Sequence, residues 1–223
     1  MTRFVLIPGA GGVAWYWGRV AALLEAAGHD AIAVDLPGDD ETAGLPEYAD
    51  LVARAAGEGS EVVLVAQSLG GFTAPLACDR LAVTSLVFVN AMIPAPGETP
   101  GAWGSNVGAS EARLAAADSG GYGREFDLET YFLHDITPEL IAEGESHQRN
   151  EANAVFESVC DFAAWPRVPV HVLVGADDRL FPADFQRRVA RDRLDVDADV
   201  LPGGHLIAQA DPSGVAKYLQ AKT

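Results

Sequence analysis

The sequence predicts an α/β fold with one mostly parallel sheet of about six strands and helices on both faces. Short apolar runs alternate with amphipathic helical segments, which is typical of βαβ units. The runs lack alternating polar residues, as expected of parallel strands that are buried on both faces. Glycine-rich turns follow several runs, at the sheet edge where open α/β sheets bind ligands. A chain of 223 residues suits one domain, residues 1–223.

The first half of the chain consists of three strand–helix pairs. RFVLI is an apolar run that ends in the turn PGAGG, and WGRVAALLEAAG has helical periodicity with Gly28 as its C-cap. DAIAVDL is a second apolar run, and it stops at Pro37-Gly38 before the helical segment LPEYADLVARAAG. EVVLVAQ is the third run, and the Ala-rich helix LGGFTAPLACDRL follows it.

The second half contains three more predicted strands. TSLVFVNAMIP gives the fourth, and VPVHVLVGADD gives the fifth, followed by the helix PADFQRRVARDRL. VDADVLPGG and DPSGVAKYLQAK give the last strand and helix.

Residues from about 95 to 165 interrupt this alternation. PAPGETPGAWGSNVG is rich in Pro and Gly, whereas DLETYFLHDITPELIAEG and ESHQRNEANAVFESVC are typical of short helices. Because an insertion of this length is more often a lid or binding element than a plain connection, we expect a helical lid here.

Charge and composition limit the partners. The formal net charge is −17, from 15 basic and 32 acidic residues, so we expect no nucleic acid and no anionic membrane partner. No apolar run approaches the ~20 residues of a membrane helix. MTRFVLIPGAGG lacks the apolar core of roughly 7–15 residues of a signal peptide, which favours a cytoplasmic protein. Cys78 and Cys160 have no C-x-x-C spacing, so we expect no metal site.

Ser68 is the candidate nucleophile. It lies in Ala66-Gln67-Ser68-Leu69-Gly70, a G-x-S-x-G pattern with alanine in the first position, between a predicted strand and a predicted helix. Such a turn strains the backbone and lifts the hydroxyl clear of the sheet, and small residues two positions away on each side avoid collisions.

A nucleophilic serine needs a base and an acid that orients the base. His205 follows the last predicted strand in a glycine turn, at the same sheet edge as Ser68. Asp178 follows the fifth strand, with the adjacent Asp177 as the alternative. The order Ser, Asp, His along the chain is that of one known class of catalytic triad.

Two backbone amides could stabilise an oxyanion. The Leu69 amide is next to the nucleophile, and the Ala10 amide lies in the glycine-rich loop after the first strand. That loop could also suggest a dinucleotide site, but PGAGGVA lacks the G-x-G-x-x-G spacing, so we expect no such cofactor.

Over nearly its whole length the chain resembles an α/β-hydrolase, above all the small lid-bearing branch of plant methylesterases and hydroxynitrile lyases. The resemblance rests on FVLIPGAGGVAWYW, VAQSLGGF, VFVNAMIP, GADDRLFPADFQRR and GGHLIAQADP. It implies the α/β-hydrolase fold, a triad at the positions of Ser68, Asp178 and His205, and oxyanion amides at those of Ala10 and Leu69. It also implies no cofactor, and it allows a homodimer because many members are dimers.

Departures from the family pattern fall in the expected pocket wall. Gln67 replaces the histidine that often precedes the nucleophile. The related lyases have a threonine where this chain has Gly9, and a lysine where it has Leu206. Because that lysine would stabilise departing cyanide, its replacement disfavours lyase activity and favours an esterase. Trp103, in the insertion, is a further candidate for the pocket wall.

The sequence therefore predicts a serine hydrolase that cleaves a small carboxylic ester. A lactonase, a thioesterase, or a natural-product tailoring hydrolase or cyclase of the same fold is the first alternative. A binding protein that keeps the fold without catalysis is the second.

Overall fold

A computed structural model describes residues 1–57 and 61–223 and has a parallel sheet at its centre. The strands of the described residues are β1 (Arg3–Ile7), β2 (Asp30–Ala33), β3 (Glu61–Gln67), β4 (Ala82–Val89), β5 (Val170–Gly175) and β6 (Asp199–Leu201). Their order in the sheet is β2-β1-β3-β4-β5-β6, and every neighbouring pair is parallel. The predicted mostly parallel sheet of about six strands is confirmed.

Helices pack on both faces of the sheet. They are α1 (Gly18–Ala26), α2 (Leu45–Ala56), α3 (Gly70–Cys78), α4 (Pro100–Val107), α5 (Ala109–Gly120), α6 (Pro138–Glu145), α7 (Asn153–Glu157), α8 (Ala183–Leu194), α9 (Ile207–Ala210) and α10 (Pro212–Gln220). Helices α2, α3 and α8 cover one face, and α1, α9 and α10 cover the other. None of the helices in the described ranges has both the length and the apolarity to cross a membrane.

Successive strand residues belong to two separate cores. In β3, Val62 and Leu64 pack with α2 and α3, whereas Val63 and Val65 pack with α1 and α10. All four are at most 1% exposed. Because both sets of side chains are buried, the strand is a continuous apolar run rather than an alternating one.

The segment between β4 and β5, residues 90–169, is called the insertion below. It contains α4 to α7 and a π-helical turn at Glu129–Leu133. Helix α4 lies in the Pro- and Gly-rich stretch, where the sequence does not predict a helix. The Thr99 side chain caps its first turn by accepting from the Ala102 amide, Pro100 occupies its first position, and Gly108 ends it with φ +69°.

Candidate active site

Ser68 occupies a sharp turn between β3 and α3. Its φ of +49° lies in the left-handed region, which a non-glycine residue rarely adopts without a functional reason. The two glycines that follow make the turn possible, because their neighbours leave no room for side chains. A Cβ on Gly70 would lie 2.5 Å from the Pro8 carbonyl oxygen, and one on Gly71 would lie 2.0 Å from that of Met92.

His205 lies between β6 and α9, and its Nε2 is 3.0 Å from Ser68 Oγ. The imidazole is fully buried. The rings of Phe132 and Phe181 meet it edge-on, with centroids 5.0 and 5.2 Å away. These apolar neighbours exclude water, which strengthens the electrostatic interactions of the imidazole.

Asp178 follows β5, and its Oδ2 is 2.8 Å from His205 Nδ1. Its other oxygen, Oδ1, accepts from the amides of Leu180 and Phe181 at 2.9 and 2.8 Å. Oδ2 also accepts from Gln186 Nε2 at 3.1 Å. Asp177, the alternative acid, is exposed, and its carboxylate accepts from the Gly203 amide instead. The geometry therefore favours Asp178 as the group that orients the imidazole.

Asn90 is a polar residue at the site that the sequence did not single out. It is completely buried at the end of β4, with φ +45°. Its Nδ2 donates to the carbonyl oxygens of Gly204 and His205 at 2.9 and 3.1 Å, and its Oδ1 accepts from the Gly175 amide at 2.7 Å. One side chain thus joins the loops that carry Asp178 and His205. In the sequence, the one feature that could have drawn attention to Asn90 is its position directly after the apolar run of a predicted buried strand.

Ala10 and Leu69 both line the cavity above Ser68. Neither amide donates a hydrogen bond within residues 1–57 and 61–223. Unpaired backbone donors beside a nucleophile are what an oxyanion hole requires. Gly9 lets this loop approach the serine, since a Cβ there would lie 2.4 Å from Gln67 Oε1 and 2.8 Å from Ser68 Cβ.

A cavity of about 750 Å³ opens above Ser68. Three of the residues expected in the pocket wall line it: Gly9, Gln67 and Leu206. Gln67 is buried, and its Nε2 makes a long contact of 3.5 Å with the His205 carbonyl oxygen. Much of the remaining wall is apolar, and the insertion supplies a large part of it: Leu128, Phe132, Leu133 and Phe156.

Trp103, the fourth expected pocket residue, lies outside the lining of this cavity. Its indole is 2% exposed and donates from Nε1 to the Ile93 carbonyl oxygen at 3.0 Å. It packs edge-on against Phe181 and Phe185, with ring centroids 5.2 and 5.8 Å away. Because Phe181 lies between Trp103 and the cavity, the indole supports the wall from behind.

This arrangement can activate a hydroxyl. In the tautomer with the proton on Nδ1, His205 donates a hydrogen bond from Nδ1 to Asp178 Oδ2, which leaves Nε2 free to accept from the Ser68 hydroxyl. Ala10 and Leu69, whose amides have no partner in the described ranges, line the same cavity. A candidate nucleophile, a candidate base, a candidate orienting acid and candidate oxyanion donors therefore meet at the carboxyl edge of the sheet.

These features are those of the alpha/beta hydrolases, and comparison with known proteins places the chain there. The model described as the Alpha/beta hydrolase family matches residues 4–218, and the chain belongs to that family. Within the family, the expected resemblance to the plant methylesterase branch is confirmed.

Plant esterases are similar to part of the chain. A probable esterase of Oryza sativa subsp. indica is 42% identical over 44% of this chain and 42% of its own length. Methylesterase 7 of Arabidopsis thaliana is 38% identical over 41% of this chain and 40% of its own length. The chain thus spans less than half the length of the curated relatives it matches.

Solved structures extend the likeness in fold to the whole chain. The crystal structure of a methylesterase from Arabidopsis has a TM-score of 0.78 at 20% identity and covers 99% of this chain and 98% of its own. An extracellular hydrolase from a Paenibacillus species has the same TM-score at 17% identity. At these identities, the likeness shows the shared fold.

Proposed function

We propose that this protein is a serine hydrolase that cleaves small carboxylic esters through an acyl-enzyme. The observation that carries the proposal is the buried chain of contacts from Asp178 through His205 to Ser68, ending beneath a cavity with an apolar wall. Relatives that are named esterases and methylesterases support the same activity.

In the first half of the reaction, His205 Nε2 takes the proton of Ser68, whose Oγ attacks the ester carbonyl. The amides of Ala10 and Leu69 donate to the oxyanion of the tetrahedral intermediate. His205 then gives its proton to the departing alcohol, and Asp178 stabilises the imidazolium throughout.

In the second half, a water replaces the alcohol. His205 Nε2 takes a proton from this water while the water oxygen attacks the acyl carbonyl. The amides of Ala10 and Leu69 donate to the oxyanion of the second tetrahedral intermediate. Collapse of this intermediate returns the proton to Ser68 and releases the carboxylic acid. The site begins and ends in the same protonation state.

The cavity wall favours an ester with an apolar part. Leu128, Phe132 and Phe156 offer aliphatic and aromatic surface, and burial of apolar area contributes roughly 25 cal/mol per Å². Because relatives are named methylesterases, methyl esters of apolar carboxylic acids are the first substrates to test. Leu206 and Gly9 are proposed to line the substrate site, with Gln67 beside the nucleophile.

The direct test compares wild type with Ser68→Ala on p-nitrophenyl acyl esters. We expect the variant to lose turnover by about 10⁴-fold or more, because it removes the attacking oxygen. Ser119→Ala, at an exposed serine in α5, is the matched control and should keep wild-type activity. A Ser68→Ala enzyme with the wild-type rate would overturn the proposal.

Covalent labelling separates catalysis from mere binding. A fluorophosphonate should modify wild type at Ser68 and leave Ser68→Ala unmodified, whereas a protein that only binds ligands would not react. A panel of esters, lactones and thioesters then ranks the leaving groups. A higher kcat/KM for lactones or thioesters would assign the same machinery to one of the alternative hydrolases.

We also propose the following properties, which the sequence predicts. The segment from about residue 95 to residue 165 acts as a lid on a single domain of residues 1–223, the protein is cytoplasmic, and it is free to form a homodimer. Ester substrates are its small-molecule partners, with no nucleic acid and no cofactor.

A further inference from the structure

Glu151 is a charged residue in the cavity wall that the proposed mechanism does not use. It lies in the insertion just before α7, and its side chain reaches the loop of residues 8–12 that follows β1. That loop, called the oxyanion loop below, carries Ala10. The contact joins residues that are 140 positions apart.

Both carboxylate oxygens of Glu151 have protein donors. Oε2 accepts from the Gly11 amide at 2.5 Å, and Oε1 accepts from the Tyr48 hydroxyl at 2.6 Å. Burial raises the pKa of Glu151, although these two hydrogen bonds and the nearby Arg149 act in the opposite direction. Because both oxygens are occupied, the carboxylate is better suited to hold the protein than to bind a substrate.

The surroundings of Gly11 show how closely the insertion and the oxyanion loop approach. Gly11 has φ +86°, and a Cβ there would lie 2.6 Å from the Arg149 carbonyl oxygen. On the other side, a Cβ on Gly38 would lie 2.4 Å from the Gly11 carbonyl oxygen, and the Ala152 amide donates to the Gly38 carbonyl at 2.6 Å. The loop is therefore held between two chain segments.

The hydrogen bond to Gly11 restrains the backbone directly after Ala10. The Gly11 N–H belongs to the planar peptide unit that starts at the Ala10 carbonyl. Once Glu151 fixes the direction of that N–H, the peptide plane on the carboxyl side of Ala10 is fixed too. The unpaired Ala10 N–H belongs to the preceding Gly9–Ala10 peptide, which meets this plane at the Ala10 Cα. A loop that loses the Gly11 anchor is therefore freer to turn that N–H away from the reacting carbonyl.

We propose that Glu151 is a positioning residue, whose carboxylate holds the Ala10–Gly11 peptide so that the Ala10 amide points at the developing oxyanion. The inference rests on the proposed serine hydrolase function. It assigns to the insertion a part in transition-state stabilisation besides its part in the cavity wall.

The test compares Glu151→Ala with Glu151→Gln on a p-nitrophenyl ester, with rates divided by the fluorophosphonate-titrated sites. Glu151→Ala should lower kcat about 10- to 100-fold with KM changed less than about twofold, because oxyanion stabilisation is lost and ground-state binding is not. Glu151→Gln should stay within about threefold of wild type. Its amide oxygen can accept from Gly11 while its amide nitrogen donates to the Tyr48 hydroxyl.

A transition-state analogue gives a second readout. A trifluoromethyl ketone forms an anionic hemiketal with the serine, so Glu151→Ala should weaken its binding by about the same factor as it lowers kcat/KM. Tyr48→Phe removes one of the two anchors of Glu151 and should lower kcat about two- to fivefold. Glu139→Ala, at an exposed glutamate in α6, is the matched control and should match wild type.

Three results would overturn the positioning role: an unchanged kcat in Glu151→Ala, an effect confined to KM, or equal losses in the Ala and Gln variants. If Glu151→Ala fails to fold, Glu151→Gln and Tyr48→Phe carry the comparison. A wild type that is not labelled at Ser68 would instead overturn the proposed function, and this inference with it.

Discussion

Asn90 shows how one buried side chain can hold a catalytic geometry together. Its amide bridges the turns after β4, β5 and β6, and its Oδ1 is also 3.3 Å from Gln186 Nε2. Gln186 in turn donates to Asp178, so a single network links the orienting acid to the backbone of His205. Buried polar groups of this kind are costly when they lose partners, because no water replaces the missing bond.

Substitution of Asn90 should therefore affect stability and activity together. Asn90→Ala leaves the Gly175 amide and the Gly204 carbonyl without their Asn90 partner, and the His205 carbonyl with only the long contact from Gln67, at a cost of about 2–4 kcal/mol. Asn90→Asp should be worse at neutral pH, since a carboxylate would face the carbonyl oxygens of Gly204 and His205. Urea unfolding measures the order of stability, and kcat/KM should fall at least about tenfold in both variants. An Asp variant as stable as wild type would contradict this account.

Gly9 lies so close to Ser68 that a side chain at this position should disturb the site. Gly9→Ala would place a methyl group against Gln67 Oε1 and Ser68 Cβ, so the oxyanion loop or the serine must shift. A shift of a few tenths of an ångström misplaces the reacting groups, and kcat should fall about 10- to 100-fold. The double variant Gly9→Ala/Gln67→Ala removes one of the two clashes and should recover part of the loss.

If Gln67→Ala gave no recovery in the Gly9→Ala background, the Ser68 contact alone would account for the defect. A Gly9→Ala enzyme with the wild-type kcat would show that the loop adapts freely. Thermal unfolding of each variant distinguishes a displaced loop from a destabilised fold.

The meeting of the candidate catalytic residues could be predicted from sequence, whereas the residues that hold them could not. Ser68, Asp178 and His205 each follow a recognisable strand, so the parallel sheet alone brings them to one edge. Glu151 was not predictable, because its role depends on how an irregular part of the insertion packs against the first loop. Trp103 was expected in the pocket wall because of its position in the chain. In the structure Phe181 lines the cavity and Trp103 packs behind it, a packing that sequence position does not reveal.

At the scale of elements, an ion pair joins α8 to the start of the insertion. Arg193 makes two contacts with the Glu98 carboxylate, one between Nη1 and Oε2 and one between Nη2 and Oε1 at 3.0 Å. Asn106 and the Ala95 amide also donate to Glu98, at 2.8 and 3.0 Å. Burial acts to raise the pKa of Glu98, but these donors outweigh it, and the pKa of the folded protein is lowered.

This lowered pKa makes the contribution of Glu98 depend on pH. The stabilisation is fully present above the unfolded-state pKa of about 4.3 and is lost as the pH falls through the lower folded-state value. Glu98→Gln should therefore cost about 2–3 kcal/mol at pH 7, and progressively less as the pH falls through the lowered folded-state pKa, where the wild-type carboxyl also becomes neutral. Urea unfolding from pH 3 to 7 measures the difference, and Glu139→Gln is the exposed control. A difference that does not change with pH would contradict the lowered pKa.

The elements themselves were predictable to different degrees. Strands such as β3 are continuous apolar runs between turn residues, so composition alone identifies them. Helix α4 was not predicted, since proline and glycine dominate its stretch. The residues that indicate this helix are Thr99 at its N-cap, Pro100 in its first position and Gly108 at its end. They mark only the two ends of the helix, so hydrophobic periodicity does not reveal it.

At the scale of the whole molecule, the charge distribution acts on anything that approaches the cavity. The formal net charge is −17, and the cavity wall contains one acidic and one basic side chain, Glu151 and Arg149. Arg149 is already engaged, since it donates to the Leu36 carbonyl and forms an ion pair with Asp35 at 3.1 Å. A substrate that carries a negative charge therefore meets a repulsive field on its way to Ser68.

We expect this field to discriminate between esters of equal size and different charge. The p-nitrophenyl half-ester of glutaric acid and the neutral p-nitrophenyl valerate have acyl chains of similar length, and both report on the same acylation step. At about 10 mM ionic strength, where charges act over about 30 Å, kcat/KM should be lower for the anionic ester by at least about fivefold. At an ionic strength of about 0.5 M, screening should reduce the difference in kcat/KM between the two esters several-fold, while kcat/KM for the neutral ester should change little. If the ratio of kcat/KM between the two esters did not change with ionic strength, the discrimination would come from contacts in the cavity wall instead. A higher kcat/KM for the anionic ester at low ionic strength would rule out the repulsive field.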